Sequence, residues 1–114
     1  MKISYNGIGQ WRATFACDGL IENIVVKLTA NNTVSSCTTG EAFAGVVASV
    51  SHESDACSVV LSGLVTVSYT GTAPTVGYCN LSASESSGVQ VAAGGRSYLV
   101  VQVDTVGRTV TFKL

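Results

Sequence analysis

Alternating apolar and polar residues predict a β-hairpin in the last twenty residues of the chain. In the segment RTVTFKL, one face of the predicted strand carries Val110, Phe112 and Leu114. In the preceding segment, SYLVVQVD, one face carries Leu99, Val101 and Val103. Residues 105–107 have the length and the glycine of a short hairpin loop. We therefore expect the two segments to pair antiparallel, with the last strand either at a sheet edge or inside a sheet.

The middle of the chain contains longer apolar runs that are interrupted by turn residues. EAFAGVVASV and CSVVLSGLVTVSY predict two or three strands, separated by the polar turn SHESDA. Gly63 interrupts the second run, which indicates a bulge or a bend. In the same run, Cys57 shares a predicted strand face with Val59 and Leu61. Upstream, IENIVVKL is predicted to be a strand because it is rich in β-branched residues, and a turn at residues 30–32 follows it.

The remaining segments are short and rich in Gly, Ser and Thr. TGTAPTVG predicts a loop, and a short strand is expected near residues 78–81. SASESSG is loop-like, Val89 and Val91 indicate a brief strand, and Gly94-Gly95 indicates a turn. No segment has a helical stripe that is sustained over three turns.

Strands at intervals of about 8–12 residues, separated by such turns, are typical of a small barrel or sandwich. We predict an all-β fold, a small single-domain antiparallel barrel or sandwich, and the pattern does not choose between the two. One domain is expected over residues 1–114, a length that can bury a single core. Residues 1–16 have weaker patterning and are a candidate N-terminal arm.

The charge content excludes several classes of partner. Only 11% of the residues are charged, against roughly 25% in an ordinary soluble domain. The six Lys and Arg residues are spread singly and the net charge is −1, so we expect no nucleic-acid partner. No apolar run is long enough to cross a membrane, and no membrane partner is expected. MKISYNGIGQW lacks the apolar stretch of a secretory signal, so we expect synthesis in the cytoplasm.

Four cysteines allow either two disulfide bonds or free thiols: Cys17, Cys37, Cys57 and Cys79. The reducing cytoplasm favours thiols, and the position of Cys57 suits a thiol buried as a small apolar side chain. No two cysteines are close in sequence, so the paired spacing of zinc sites and redox motifs is absent. We predict no metal site and no cofactor, and the thiol or disulfide state stays open.

The only histidine, His52, lies between Ser51 and Asp55 in a turn that contains the residue types of a catalytic triad. Side chains from one tight turn rarely converge on a common point, and the chain has no G-x-S-x-G nucleophile elbow. The carboxylates show no spacing typical of a hydrolase pair or a calcium loop, and Gly94-Gly95-Arg96 matches no phosphate-binding motif. We therefore predict an exposed hairpin tip at His52, no catalytic residue and no enzymatic activity.

One segment near the start of the chain is a candidate interaction site. Trp11 lies close to Arg12 and Phe15, and Trp and Arg are favoured at binding hot spots. We predict a partner interface at these three residues, with a core position for Trp11 as the alternative.

From about Gly40 to Leu114, roughly two thirds of the chain, the sequence resembles the small β-rich cement or decoration proteins of tailed phages. The resemblance rests on GEAFAGVVASV, CSVVLSGLVTVSY, the loop GTAPTVG and the closing GRSYLVVQVDTVGRTVTFKL. It implies a non-enzymatic virion protein, made in the host cytoplasm, that binds the major capsid protein on the capsid exterior and strengthens the head. It also implies a homo-oligomer, with a trimer favoured. A head fibre is a closely related possibility.

Two other functions are weighed against this one. A β-domain that recognises carbohydrate or a cell surface would use an aromatic platform drawn from Trp11, Tyr69, Tyr78 and Tyr98. An enzyme would require an activity that is lost with His52→Ala, and we expect that substitution to be nearly silent.

Overall fold

The ten strands in the described part of the chain form two five-stranded sheets. The computed structural model describes residues 9–53, 55–85 and 88–114. The first sheet has the order β1-β3-β2-β4-β5 and the second has the order β10-β6-β8-β7-β9. The strands of the first sheet are β1 Trp11–Ala16, β2 Val25–Ala30, β3 Thr33–Ser36, β4 Gly45–Val50 and β5 Ala56–Ser62. The strands of the second sheet are β6 Leu64–Thr70, β7 Gly77–Ala83, β8 Val89–Val91, β9 Arg96–Asp104 and β10 Thr109–Lys113.

The all-β prediction is confirmed, and each sheet closes on itself like a small barrel. Most neighbouring strands pair antiparallel, as expected. Closure depends on two short parallel pairings, β1 with β3 at Ala16 and Thr33, and β6 with β8 at two residue pairs. The two sheets then pack against each other through a shared core, so features of a barrel and of a sandwich are combined.

Three strands of the first sheet lie between two layers of hydrophobic core, and each of them contains two adjacent valines. In β2, β4 and β5, one valine of each pair belongs to the core shared by the two sheets: Val25, Val46 and Val60. The other valine belongs to the core inside the first sheet: Val26, Val47 and Val59. Successive strand side chains point to opposite faces, so a Val-Val pair buries one side chain on each side. Each buried valine contributes about 1.5–3 kcal/mol.

Three aromatic rings hold the two sheets together. Phe43, in the loop before β4, stacks on Tyr98 of β9 with ring centroids 5.1 Å apart. Phe112 of β10 lies 5.9 Å from Phe43 and 5.1 Å from Tyr98. Such pairs contribute about 0.5–1.5 kcal/mol each beyond the area that they bury. The buried aromatic rings therefore lie in the shared core, whereas the buried members of the core inside the first sheet are aliphatic residues and cysteines.

Gly63 is the bend that the sequence predicted, and it lies where the chain passes from the first sheet to the second. Its φ is +113°, a conformation that residues with a Cβ rarely adopt. A Cβ at this position would lie 3.0 Å from Cα of Gln10. The interruption of the apolar run therefore marks a change of sheet.

The C-terminal hairpin forms as expected, but the inward face of β9 differs from the prediction. Tyr98 and Val100 face the shared core, whereas Leu99 and Val101 are only half-buried. The register shifts within β10, where Thr111 pairs with Gln102 and Phe112 pairs with Val100. Val101 is thus an extra residue, and a β-bulge reverses which side chains face inward. Only beyond it does Val103 pack against the core as expected.

The segment 1–16, expected as a candidate arm, is partly integrated into the first sheet. Residues 11–16 form β1, which pairs with β5 along its whole length. Residues 1–8 of the candidate arm lie outside the described residues.

Candidate functional site

The three residues predicted as a partner interface all lie on β1 but do not share one surface. Trp11 is 65% exposed. Arg12 is also exposed, and its guanidinium donates hydrogen bonds to Oε1 of Gln10 at 2.9 and 3.2 Å. Phe15 is half-buried against the core inside the first sheet. Arg12 and Phe15 are three positions apart in a strand, so they point to opposite faces. Phe15 therefore has a packing role. Trp11 and Arg12 are both exposed, but as consecutive residues of the strand they also point to opposite faces.

Gln10, the residue before β1, contacts the start of the second sheet. Nε2 of Gln10 donates a hydrogen bond of 3.3 Å to the carbonyl oxygen of Leu64, at the start of β6. Leu64 pairs with Lys113, Lys113 pairs with Leu99, and Leu99 pairs with Tyr78. Side chains at paired positions lie on the same face of a sheet. This row across four strands is opposite the core, and Tyr78 is its most exposed ring, at 78%.

A shallow cavity of about 240 Å³ lies beside Tyr78. Arg96, Leu99, Lys113 and Leu114 also line it. Cζ of Arg96 lies 5.4 Å from the centroid of the buried Tyr98 ring, and Nζ of Lys113 is 3.4 Å from the carbonyl oxygen of Leu114. The cavity thus combines two cations with an exposed phenol and apolar walls. We name the exposed residues from the start of β1 to this cavity the Trp11–Tyr78 surface; Trp11 and Arg12 lie at its β1 end, and Lys113, Leu99, Tyr78 and Arg96 lie at the cavity.

In the described part of the chain, the cations of the Trp11–Tyr78 surface form no ion pair with an acidic side chain. All seven Asp and Glu residues belong to the described ranges, and the one ion pair there joins Lys27 to Glu41 at 2.8 Å. No acidic side chain therefore pairs with a cation of the Trp11–Tyr78 surface. Asp18 and Asp55 lie at the far end of the first sheet, where the amide of Cys17 donates to the carbonyl oxygen of Asp55. The length of β5, about 20 Å, separates this acidic end from the end at Trp11.

The four aromatic residues considered for a sugar platform do not come together. Tyr69 and Tyr98 are 3% and 4% exposed, because both occupy inward positions of their strands. The ring of Tyr69 is further covered by the guanidinium of Arg108, with Cζ 5.1 Å from its centroid. Burial raises the pKa of Tyr98, and the nearby Arg96 partly opposes this effect. Only Trp11 and Tyr78 keep broad exposed faces.

The turn around His52 is an exposed hairpin tip between β4 and β5. Ser51 Oγ donates to Oδ1 of Asp55 at 2.9 Å and accepts from the amide of Ala56 at 3.2 Å. His52 is exposed, and no hydrogen bond among the described residues joins it to Ser51 or Asp55. Ser54, also in this turn, lies outside the described residues. Ser51 and Asp55 thus close the turn, and the tip is exposed as the sequence predicted.

None of the four cysteines, all of which lie in the described ranges, forms a disulfide bond, and three of them are buried. Cys57 faces the core inside the first sheet together with Val59 and Leu61, which confirms the predicted strand face. Burial raises the pKa of Cys57 to about 11, and its contact with Cys17 adds to the shift. Burial likewise raises the pKa of Cys37 to about 11, with a further contribution from Glu41. These two thiols are protonated near neutral pH and are therefore poor nucleophiles.

Glu41 anchors the loop between β3 and β4. Both of its carboxylate oxygens lie 2.8 Å from Nζ of Lys27, and one accepts the amide of Thr38 at 2.6 Å. Hydrogen bonds from Lys27 and Thr38 lower the pKa of Glu41 to about 2. The backbone of the same loop bonds Ala83 of the second sheet, through the amide of Gly40 and the carbonyl oxygen of Glu41. This contact is structural and joins the two sheets.

No group of three or more His, Cys, Asp or Glu residues among residues 9–53, 55–85 and 88–114 could hold a metal ion. These ranges also contain no helix that is long and apolar enough to span a membrane.

The Trp11–Tyr78 surface was only partly visible in the sequence. The segment around Trp11 was identified, but Tyr78, Leu99 and Lys113 were assigned to separate strands. Their alignment depends on the register of four strands, which the sequence does not specify locally. Comparison of the chain with protein-family models, with curated proteins and with solved structures finds no match.

Proposed function

We propose that the protein is a non-enzymatic structural protein of a phage virion, which binds the outer surface of the capsid and stabilises the head. The observation that carries this proposal is the Trp11–Tyr78 surface, where two aromatic rings are exposed beside cations without acidic partners. Trp, Tyr and Arg are the residue types enriched at binding hot spots. The sequence resemblance over residues 40–114 supplies the class of partner, the major capsid protein.

Physical considerations support a role that needs binding without chemistry. The buried thiols are protonated, and the turn at His52 uses Ser51 and Asp55 to close a hairpin. On a shell, each copy contributes a modest contact that is repeated over the lattice. A homo-oligomer, with a trimer favoured, would bind several capsid subunits at once and gain affinity from multivalency. In this proposal the protein is made in the host cytoplasm and resides on the capsid exterior.

Co-sedimentation with capsids tests the proposal directly. The purified protein is mixed with mature capsids and with unexpanded shells of its source phage, each prepared without the protein. We expect saturable binding to mature capsids at a fixed number of copies per capsid subunit. The absence of binding to both particles, with the protein folded by circular dichroism, would contradict the proposal.

Recognition of carbohydrate or of a cell surface is a second candidate function. It is favoured by the cavity of about 240 Å³ beside Tyr78, which offers an aromatic face and two cations. Only Trp11 and Tyr78 of the four aromatic residues remain available for it. A glycan-array signal that is lost with Tyr78→Ala, together with unchanged capsid binding, would favour this candidate.

A further inference from the structure

We infer that the Trp11–Tyr78 surface is the face by which the protein docks on the capsid, and that its partner there is an acidic protein surface with an apolar recess for Tyr78. This inference rests on the proposed function and adds the contact residues and the chemistry of the partner.

Charge complementarity is the first argument. Three of the six Lys and Arg residues lie on this surface, and none has an acidic partner among the described residues: Arg12, Arg96 and Lys113. In contrast, Lys27 is paired with Glu41, and Arg108 lies over Tyr69. The acidic residues Asp18, Glu53 and Asp55 lie at the opposite end of the first sheet. A chain of net charge −1 thus presents a local excess of positive charge on one face, and an acidic partner would complement it.

The exposed rings are the second argument. Tyr78 lies beside Arg96 and Lys113 at the cavity, so an apolar contact and a charged contact are available to one partner there, and Trp11 is a second exposed ring at the start of β1. Both are large side chains that pack well into recesses at protein interfaces. The cavity beside Tyr78 would receive a complementary side chain of the partner.

Two of the cations are already held in place, which reduces the entropic cost of docking. Gln10 bonds the guanidinium of Arg12 on one side and the backbone of Leu64 on the other. Arg96 is positioned over the buried ring of Tyr98. Side chains that are ordered before binding lose less conformational freedom when the complex forms.

The tip of the β9–β10 hairpin provides a matched control region. Val106 is 95% exposed, and Arg108 is a nearby exposed cation. The tip lies at the opposite end of β10 from Lys113, about 13 Å or more along the strand. Arg108 is engaged within the chain, because Nη2 donates to the carbonyl oxygen of Gly71 at 3.4 Å and Cζ lies over Tyr69.

The test is quantitative co-sedimentation of variants with mature capsids at low and at high NaCl. The variants are Trp11→Ala, Tyr78→Ala and Lys113→Gln, and the controls are Val106→Ala and Arg108→Gln. Each variant is first checked by thermal unfolding and by sedimentation velocity of the free protein. We expect Trp11→Ala and Tyr78→Ala to weaken capsid binding about tenfold or more, and the controls to change it less than about twofold. Salt should weaken binding of the wild type, and Lys113→Gln should reduce this dependence.

Different outcomes separate the inference from the function on which it rests. If the wild type binds capsids and the three variants bind equally well, the docking face is wrong and the proposed function stands. If the wild type does not bind, the proposed function fails and the inference fails with it. Binding that is lost in the variants but is insensitive to salt would overturn the acidic partner. If Tyr78→Ala abolishes self-association of the free protein and leaves capsid binding unchanged, the surface faces a second copy of the chain, which also overturns the inference.

Discussion

The two ends of the β9–β10 hairpin differ in how their polar and charged groups are used. At the tip, Oδ1 of Asp104 accepts the amides of Val106 and Gly107 at 3.0 Å each, and Arg108 lies over Tyr69. At the opposite end, Lys113 and Arg96 lie beside the exposed Tyr78 without an acidic partner among the described residues. At the tip, the polar and charged groups are bonded within the chain, whereas the cations at the Tyr78 end remain available to bind another molecule. A structural role is therefore favoured for the tip and an interaction role for the other end.

The largest expected effect is on stability, and it comes from truncating a side chain in the core on which both ends of the hairpin rest. Phe112→Ala deletes a fully buried ring that contacts Phe43 and Tyr98, and we expect it to lower the free energy of unfolding by about 3–5 kcal/mol. Urea denaturation followed by tryptophan fluorescence measures the loss. A change below about 1 kcal/mol would mean that the ring does not anchor the two sheets.

A substitution at the hairpin tip should lower the stability of the protein and leave capsid binding unchanged. Asp104→Ala removes the acceptor of two backbone amides, so we expect a loss of about 1–2 kcal/mol in the free energy of unfolding. Capsid binding should stay within about twofold of the wild type after correction for the folded fraction. Loss of binding by a folded Asp104→Ala protein would place the contact at the tip and break the comparison.

In contrast to the unpaired cations, Lys27 forms an ion pair with Glu41, and this pair should stabilise the folded protein. The pKa of Glu41 is lowered from 4.5 to about 2 in the folded protein, so the ionised form is favoured by folding. Its contribution is present above pH 4.5 and is lost as the pH falls from there towards 2. We expect Glu41→Gln to be less stable than the wild type at neutral pH, by a small amount because the carboxylate is exposed to solvent.

Thermal unfolding of the wild type and of Glu41→Gln between pH 6 and pH 2 checks this prediction. The difference in unfolding temperature between the two proteins should shrink as the pH falls. A difference that stays constant over this range would show that the pairing of Lys27 with Glu41 does not contribute to folding.

The smallest effects on stability are expected at the Tyr78 end. Lys113→Gln and Tyr78→Ala remove side chains that are exposed and make few contacts within the chain, so each should change the free energy of unfolding by less than about 0.5 kcal/mol. Chemical denaturation of the two variants measures this. A loss above about 1 kcal/mol would assign these side chains to the fold and weaken the interaction role.

Local patterns predicted much of the strand content. The alternation in RTVTFKL, the valine-rich runs and the break at Gly63 all report on the chain's own backbone, and they correspond to β10, to β2, β4 and β5, and to the passage between sheets. The strand Thr33–Ser36 was not predicted, because it has only four residues and a single apolar one, Val34; it forms through its pairing with β2.

Features that depend on pairing between distant strands were not predictable. The bulge at Val101 turned Tyr98 inward, away from a sugar platform, and it is visible only against the register with β10. Phe15 and Arg12 are close in sequence but on opposite faces of β1. The row from Leu64 to Tyr78 joins residues that are 14 positions apart at the closest. The candidate site is therefore a property of the register and not of a motif.

The position of β10 has a consequence for how the protein could attach to a shell. β10 lies between β6 and β9, so both of its hydrogen-bonding edges are occupied within the chain. It cannot receive a strand from a neighbouring molecule, and strand exchange through the C-terminal segment would require the second sheet to open. Attachment through side chains avoids this step. A fully folded molecule could then be loaded onto a finished particle and released again without refolding, and its residence time would depend on the contact surface alone.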